Sequence, residues 1–182
     1  MICGARIVVS LALVVVAMTA ACSTAPTTQQ AKDDLVRDAA SALTALDREI
    51  PGVLSLVRGS YGYAMFPSVS KGGLGLGGAY GRGVVYAQGR LIGYADVTQG
   101  SLGLQVGGQT YRQLIVFDDK AALDRFTQGR FDLAADTSAI VIQPGYAERV
   151  RLTEGATMFS RPIAGLMGEL AMAGQQFSFV PR

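Results

Sequence analysis

Arg82 and Arg112 stand at the same place in two copies of one phrase, thirty positions apart. The first copy is Gly73-Leu74-Gly75-Leu76-Gly77-Gly78, the second Gly103-Leu104-Gln105-Val106-Gly107-Gly108, and each runs past its arginine into a β-branched stretch. Arginine's planar fork can hold an oxyanion by charge-assisted hydrogen bonds. The other reading of such charges is a solvated strand edge that discourages sheet stacking. Chemistry of other kinds is narrowed by absences. The chain has no histidine, and its two cysteines, Cys3 and Cys22, both lie near the start. Ser-His-Asp and Cys-His nucleophile systems and His or Cys metal sites are therefore excluded from the remainder, and no disulfide can brace it. No closely spaced set of carboxylates, lysine and tyrosine suggests catalysis, so we expect a protein that is not an enzyme and carries no cofactor and no metal. Gly73, Gly75 and Gly78 match G-x-G-x-x-G, but such a fingerprint must open a helix or be followed by kinase partners, and strand-like sequence follows instead.

The elements that must position these residues follow from their periods. Within the first phrase the period is two: Leu74, Leu76, Tyr80, Val84 and Tyr86 fall on one side of a pleat, and Gly73, Gly75, Gly77, Gly81 and Gly83 on the other. A nearly bare face weakens a strand unless something packs unusually close, whether a helix, another sheet or a ligand. Tyr61 to Phe66 reads as a strand closed by Pro67, with a connecting turn at Ser68 to Lys71. The phrase then runs to about Tyr86, Gln88-Gly89 reverses the chain, Arg90 to Val97 returns, and Gly100-Ser101 turns into the second phrase, which ends at Phe117. This predicts an antiparallel meander whose two phrases flank a middle strand, with Arg82 and Arg112 at matching heights.

Ahead of the strands, Val36, Ala39, Leu43, Leu46 and Ile50 recur at helical spacing, so 31–50 is an amphipathic helix ended by Pro51-Gly52, with further turns over 53–58. It could lie on lipid or cover the glycine face; its net acidic character favours the latter, because interfacial helices are cationic on their polar side. Asp118 or Asp119 caps a short helix from about Lys120 to Gln128, stopped by Gly129. Ala139 to Ile142, Arg149 to Leu152, Ala156 to Ser160 and Gln176 to Val180 read as strands, Pro144-Gly145 as a turn, and Pro162 to Ala173 as a bent strand. The fold class is α+β: one antiparallel, β-rich domain, a meander that is curved or barrel-like, with an N-terminal amphipathic helix and one short internal helix.

Arg6 followed by an apolar run from Ile7 to Met18 and then Thr19-Ala20-Ala21-Cys22 looks like a lipoprotein signal, too short for a span of about 20 residues. Residues 1–21 are then removed and Cys22 is lipidated; two or more acyl chains give stable anchoring. Ser23 to Gln30 reads as a flexible tether, so 22–30 separates anchor from domain. The 161 residues from Cys22 onward suffice for one domain and carry a net charge of +1, which is no nucleic-acid footprint. Arg58 to Arg130 holds eight basic and four acidic side chains and is the electropositive part.

With these residues in place the chain resembles the SYLF-domain (Ysc84-like) family. The resemblance rests on Tyr63-Ala64-Met65-Phe66-Pro67-Ser68-Val69 with Lys71-Gly72-Gly73, on Gly75-Leu76-Gly77-Gly78 with Tyr80-Gly81-Arg82-Gly83, and on Ser101-Leu102-Gly103-Leu104-Gln105-Val106-Gly107-Gly108-Gln109, continued by Ala122-Leu123, Phe126 and Gly129. It implies that 31–182 is a non-catalytic, antiparallel β-rich domain that binds acidic phospholipid, with phosphoinositides as ligands and actin-linked roles in eukaryotic members. Those members carry a basic helix where 31–50 is acidic, and a bacterial membrane offers little phosphoinositide. Phosphatidylglycerol, cardiolipin or a free fatty acid is therefore the implied ligand. Lys71 sits at the family's motif lysine, and the resemblance makes Lys71, Arg82 and Arg112 the lipid-binding cations. The expected protein is a cell-envelope lipoprotein, in the outer membrane facing the periplasm where there are two membranes, anchored through acylated Cys22. The alternative is a tethered protein-interaction module without a lipid ligand.

Overall fold

Thr28 accepts a hydrogen bond on its side chain from the Ala31 backbone N–H, 3.2 Å away, which makes it the N-cap of a helix. That helix, α1 (Gln29–Glu49), starts two residues earlier than the apolar spacing suggested and buries Ala39, Ala42, Leu43 and Leu46. A computed structural model describes residues 26–131, 148–152, 155–165 and 174–182. Gly52, at φ +100°, makes the break after Pro51 that other residues rarely adopt. The Asp47 carboxylate then accepts from the Leu54 N–H at 2.9 Å, tying a second helix, α2 (Val53–Gly59), to the first. No helix among the described residues is long and apolar enough to cross a membrane.

The glycine-rich middle is one long antiparallel hairpin, β1 (Gly62–Ala87) and β2 (Arg90–Phe117). Its tip is Gln88-Gly89, both at positive φ as a two-residue primed turn requires. The turns expected at Ser68 to Lys71 and at Gly100-Ser101 do not exist. Both segments stay in strand: Val69 to Lys71 pair with Tyr111 to Gln109, Ser101 and Gly100 pair with Gly77 and Gly78, and the register shifts fall beside them, between Phe66 and Val69 and between Leu74 and Leu76. Bulges bend a strand without ending it, and small residues make the bend cheap. In consequence the start of the first phrase pairs with the end of the second, Gly73 opposite Gly107 and Leu74 opposite Val106, rather than the two flanking a third strand.

A strand of 26 residues would span about 85 Å if straight, far more than a domain this size. The hairpin therefore doubles back. The Gln88 N–H donates to the Tyr61 carbonyl at 2.8 Å, so the tip of the hairpin lies against its own beginning. This answers what covers the glycine face. A Cβ on Gly81 would lie 2.9 Å from the Ser68 carbonyl oxygen, and one on Gly83 would lie 2.7 Å from that of Met65. The cover is the first half of β1 itself. Helix α1 does lie on the sheet, but on the opposite side, against Met65, Val84, Tyr94, Leu114, Val116 and Phe159. The expectation that this helix covers the glycines is thus corrected: Val84 alternates with Gly81 and Gly83 and offers the apolar contact that a helix needs.

A third helix, α3 (Lys120–Thr127), is capped by Asp119, whose carboxylate accepts from the Ala122 N–H at 2.8 Å. Gly129 at φ +67° stops it. The remaining strands are β3 (Glu148–Leu152), β4 (Ala156–Gly165) and β5 (Gln175–Pro181). The sheet order is β1-β2-β4-β3, with β5 also on β2. Strand β4 pairs with residues 109–117 of β2 and β5 with residues 93–99, so each half of the folded hairpin gains its own neighbour. Phe66, Phe117, Phe126, Phe131 and Phe177 fill the space between the halves and α3 with ring contacts of 5.1 to 6.0 Å. The strand expected at 139–142, the turn at 144–145 and residues 166–173 of the bent strand lie outside the described residues; 162–165 belong to β4.

Candidate functional site

The three cations nominated by the sequence do not converge. Lys71 lies on β1 opposite Gln109 and is only 3% exposed. Cross-strand partners share a face, and Gln109 alternates on β2 with the fully buried Tyr111 and Gln113. Lys71 is therefore an interior residue rather than a strand-edge charge. Arg112 falls between Tyr111 and Gln113 and so belongs to the other face, the one with Leu114 and Val116 beneath α1. Its Nη1 is 3.1 Å from Glu49 Oε1, while Nε of Arg161, its partner on β4, is 2.9 Å from Glu49 Oε2. One carboxylate at the end of α1 thus fastens the helix to two strands. Arg82 is exposed, and its Nε donates to the Tyr80 hydroxyl at 2.8 Å. That bond raises its pKa further. Across the strand it faces Asp96, which accepts from Tyr80 at 3.4 Å. Arg82 is thus a surface residue, and Arg112 a clamp to a helix. Cys22 lies outside the described residues.

What the sequence did not nominate is a buried chain of carboxamides. Gln175 on β5 donates from Nε2 to the Tyr111 hydroxyl at 3.0 Å and to Gln113 Oε1 at 3.2 Å. Its own Oε1 accepts from Gln113 Nε2 at 2.8 Å, and that nitrogen also reaches the Met158 sulfur at 3.3 Å. Gln99 is the cross-strand neighbour of Gln175, and Gln109 follows Tyr111 on the same face. Gln113 lies in the half of β2 that pairs with β4, and Gln175 on β5, which pairs with the other half, so the amides stitch the two together. Burial raises the Tyr111 phenol well above the ordinary tyrosine range, against the smaller opposite pull of its bond with Gln175. Gln109 Oε1 finds no hydrogen-bond partner among the described residues. A polar interior of this kind costs stability wherever its groups go unsatisfied. The signal available in the sequence was the alternation Gln109, Tyr111, Gln113, which reads equally well as the wet face of an ordinary strand.

Two clefts approach these elements. One, of about 680 Å³, lies between the end of α3 and the start of β5 and is lined by Gly129, Arg130, Phe131, Gly174, Gln175, Gln176 and Phe177. The other, of about 450 Å³, lies by the hairpin tip, where Leu43, Leu54 and Val57 meet Tyr61 and Tyr63. Tyr63 stacks on Tyr86 with ring centroids 4.9 Å apart. Burial, and secondarily the neighbouring Tyr86, pushes the Tyr63 phenol up to about 12.

Comparison with known proteins finds similar sequences. Residues 98–178, from the first half of β2 into β5, match the family model described as Ysc84, Las17-binding protein actin regulator. The chain is also 27% identical over 154 residues to beta cell expansion factor A of Aeromonas veronii. That alignment covers 83% of this chain and 58% of the relative, so the chain spans little more than half of the relative's length. Residues 98–178 thus carry the Ysc84 match, and the paired glycine phrases and the Lys71 motif agree with a resemblance to the SYLF, or Ysc84-like, family.

Proposed function

We propose that this chain is a non-catalytic envelope lipoprotein, tethered through acylated Cys22, whose domain over 31–182 binds lipid, either acidic phospholipid or fatty acid. The observation that supports this reading best is the placement of Lys71. The residue at the family's motif lysine lies inside the molecule beside Gln109, on a face with Tyr111 and Gln113. An ammonium group on a face shared with amides and a phenol offers donors suited to a carboxylate or phosphate head. Arg112, already engaged by Glu49, drops from the lipid-contacting set, and Arg82 remains as a surface cation. Outer-membrane placement facing the periplasm is part of the same proposal.

Vesicle flotation tests it. A version starting at Ser23, which keeps the Thr28 cap, is mixed with phosphatidylglycerol-containing or purely zwitterionic vesicles at several salt concentrations. Flotation with the acidic vesicles supports the reading; failure to float with either removes it.

A second reading, a membrane-tethered protein-interaction module, is favoured by the description of the matching family model, which names a protein, Las17, as the bound partner. Recovery of one stoichiometric protein by crosslinking in cells, with no lipid retained on purification, would select it over lipid binding.

A further inference from the structure

Resting on the lipid reading, we infer that the cleft between α3 and β5 is a second seat, separate from Lys71, for an anionic amphiphile. Its carboxylate or phosphate head sits at Arg130, and its first methylenes lie against Phe131 and Phe177. The volume of about 680 Å³ falls within the range of small-molecule sites, roughly 300 to 1,000 Å³.

The lining gives the ligand's chemistry. Arg130 is exposed at the rim, and its guanidinium donates to the neutral Gln128 amide. A guanidinium has five donors, so this contact engages only part of its capacity. The two arginines of the repeated phrases differ: Arg112 is engaged by the Glu49 carboxylate, and Arg82 by Tyr80 opposite Asp96. Arg130 thus combines exposure, a cleft and a neutral partner. Gln176, also exposed and lining the cleft, adds an amide. Gln175 is 1% exposed, and both ends of its amide are held by Gln113 and Tyr111. The floor is therefore fixed before any ligand arrives, which lowers the ordering cost of binding. The flanking rings belong to the aromatic core: Phe131 and Phe177 are 6.0 Å apart at near-perpendicular orientation. Rigid aromatic edges beside a guanidinium suit a molecule with an apolar part joined to an oxyanion.

Photocrosslinking of the full chain in its own membrane reads the position directly. Cells expressing it receive either a diazirine-bearing fatty acid or a diazirine-bearing phosphatidylglycerol. Crosslinked peptides are then mapped by mass spectrometry in wild type, Arg130→Glu and Gln176→Trp, all checked by thermal melting. Both substituted residues are exposed, so folding is preserved. Labelling of Phe131, Gln176 or Phe177 is expected, reduced about ten-fold or more in Arg130→Glu because a charge-assisted bond to the head is replaced by repulsion. The bulk of Gln176→Trp should reduce it likewise. The probe that labels identifies the source of the head group. Labelling confined to β1 near Lys71 or Arg82, unchanged in both variants, overturns the cleft while leaving lipid binding intact. Absence of any labelling beyond the anchor overturns the cleft and the lipid reading together.

Discussion

The doubled-back hairpin makes a sharp prediction at Gly83. An alanine there would place Cβ 2.6 Å from Cδ1 of Phe66 and 2.7 Å from the Met65 carbonyl oxygen. Carbon contacts are optimal near 3.5 to 4.0 Å, and a ladder carbonyl cannot swing aside as a flexible side chain can. Overpacking of this sort costs roughly 1–3 kcal/mol. Against it stands the gain from restricting the unfolded chain, about 0.4–1 kcal/mol for glycine to alanine. The net for Gly83→Ala is a loss of about 1–2 kcal/mol. Gly100 is the control: it lies in the same hairpin, and a Cβ there would meet nothing within 4 Å. Gly100→Ala should be neutral or slightly stabilising, so the two substitutions, identical in chemistry, differ by about 2 kcal/mol. Urea unfolding followed by circular dichroism measures this as a shift in midpoint at constant slope. At about 2–4 °C per kcal/mol for a chain of this size, the melting points should differ by about 4–8 °C. If Gly83→Ala proves as stable as Gly100→Ala, the first half of β1 does not cover the glycine face and the fold described here is wrong at its centre.

Other consequences follow from single contacts. Glu49→Gln leaves Arg112 and Arg161 without their shared carboxylate and should lower stability by about 1 kcal/mol, discounted for partial exposure; a double-mutant cycle with Arg112→Met measures the coupling. Asp119→Ala removes the cap of α3 and should cost about 0.5–2 kcal/mol in urea unfolding, with Asp119→Asn recovering most of it. Tyr63 titrates near 12 in the folded chain and near 10 when unfolded. A pKa raised by folding means stability present below pH 10 and lost as pH climbs from 10 towards 12, so the melting point should fall across that window. Tyr63→Phe, which keeps the stacked ring and removes the titrating group, should flatten the fall; an unchanged slope would contradict the assignment.

Local signals in this sequence carried the local structure. The spacing of Ala39, Leu43 and Leu46 gave α1, Gln88-Gly89 gave the hairpin tip, and Asp119 with Gly129 bracketed α3. The bare face of Gly81 and Gly83 announced close packing, but a period of two cannot say what packs. A β-branched neighbour such as Val84 was the clue that the helix would choose the other side. Ser68 to Lys71 and Gly100-Ser101 were misread because small residues serve turns and bulged strands alike; only the long ladder, a non-local property, decides between them. Arg112 looked like a ligand-seeking cation because its partner Glu49 is 63 residues away. Gln99, Gln109, Gln113 and Gln175 were silent for a related reason: a glutamine's burial is set by the far half of the hairpin, which no window of sequence contains.

Native mass spectrometry of the full chain extracted from its membrane, wild type beside Lys71→Gln, tests the lipid claim most directly. The account predicts an acidic phospholipid or fatty acid retained by the wild type beyond its covalent anchor, and retained in smaller amount by an equally folded Lys71→Gln. Bare protein in both samples, or the same lipid retained equally by both, would contradict it.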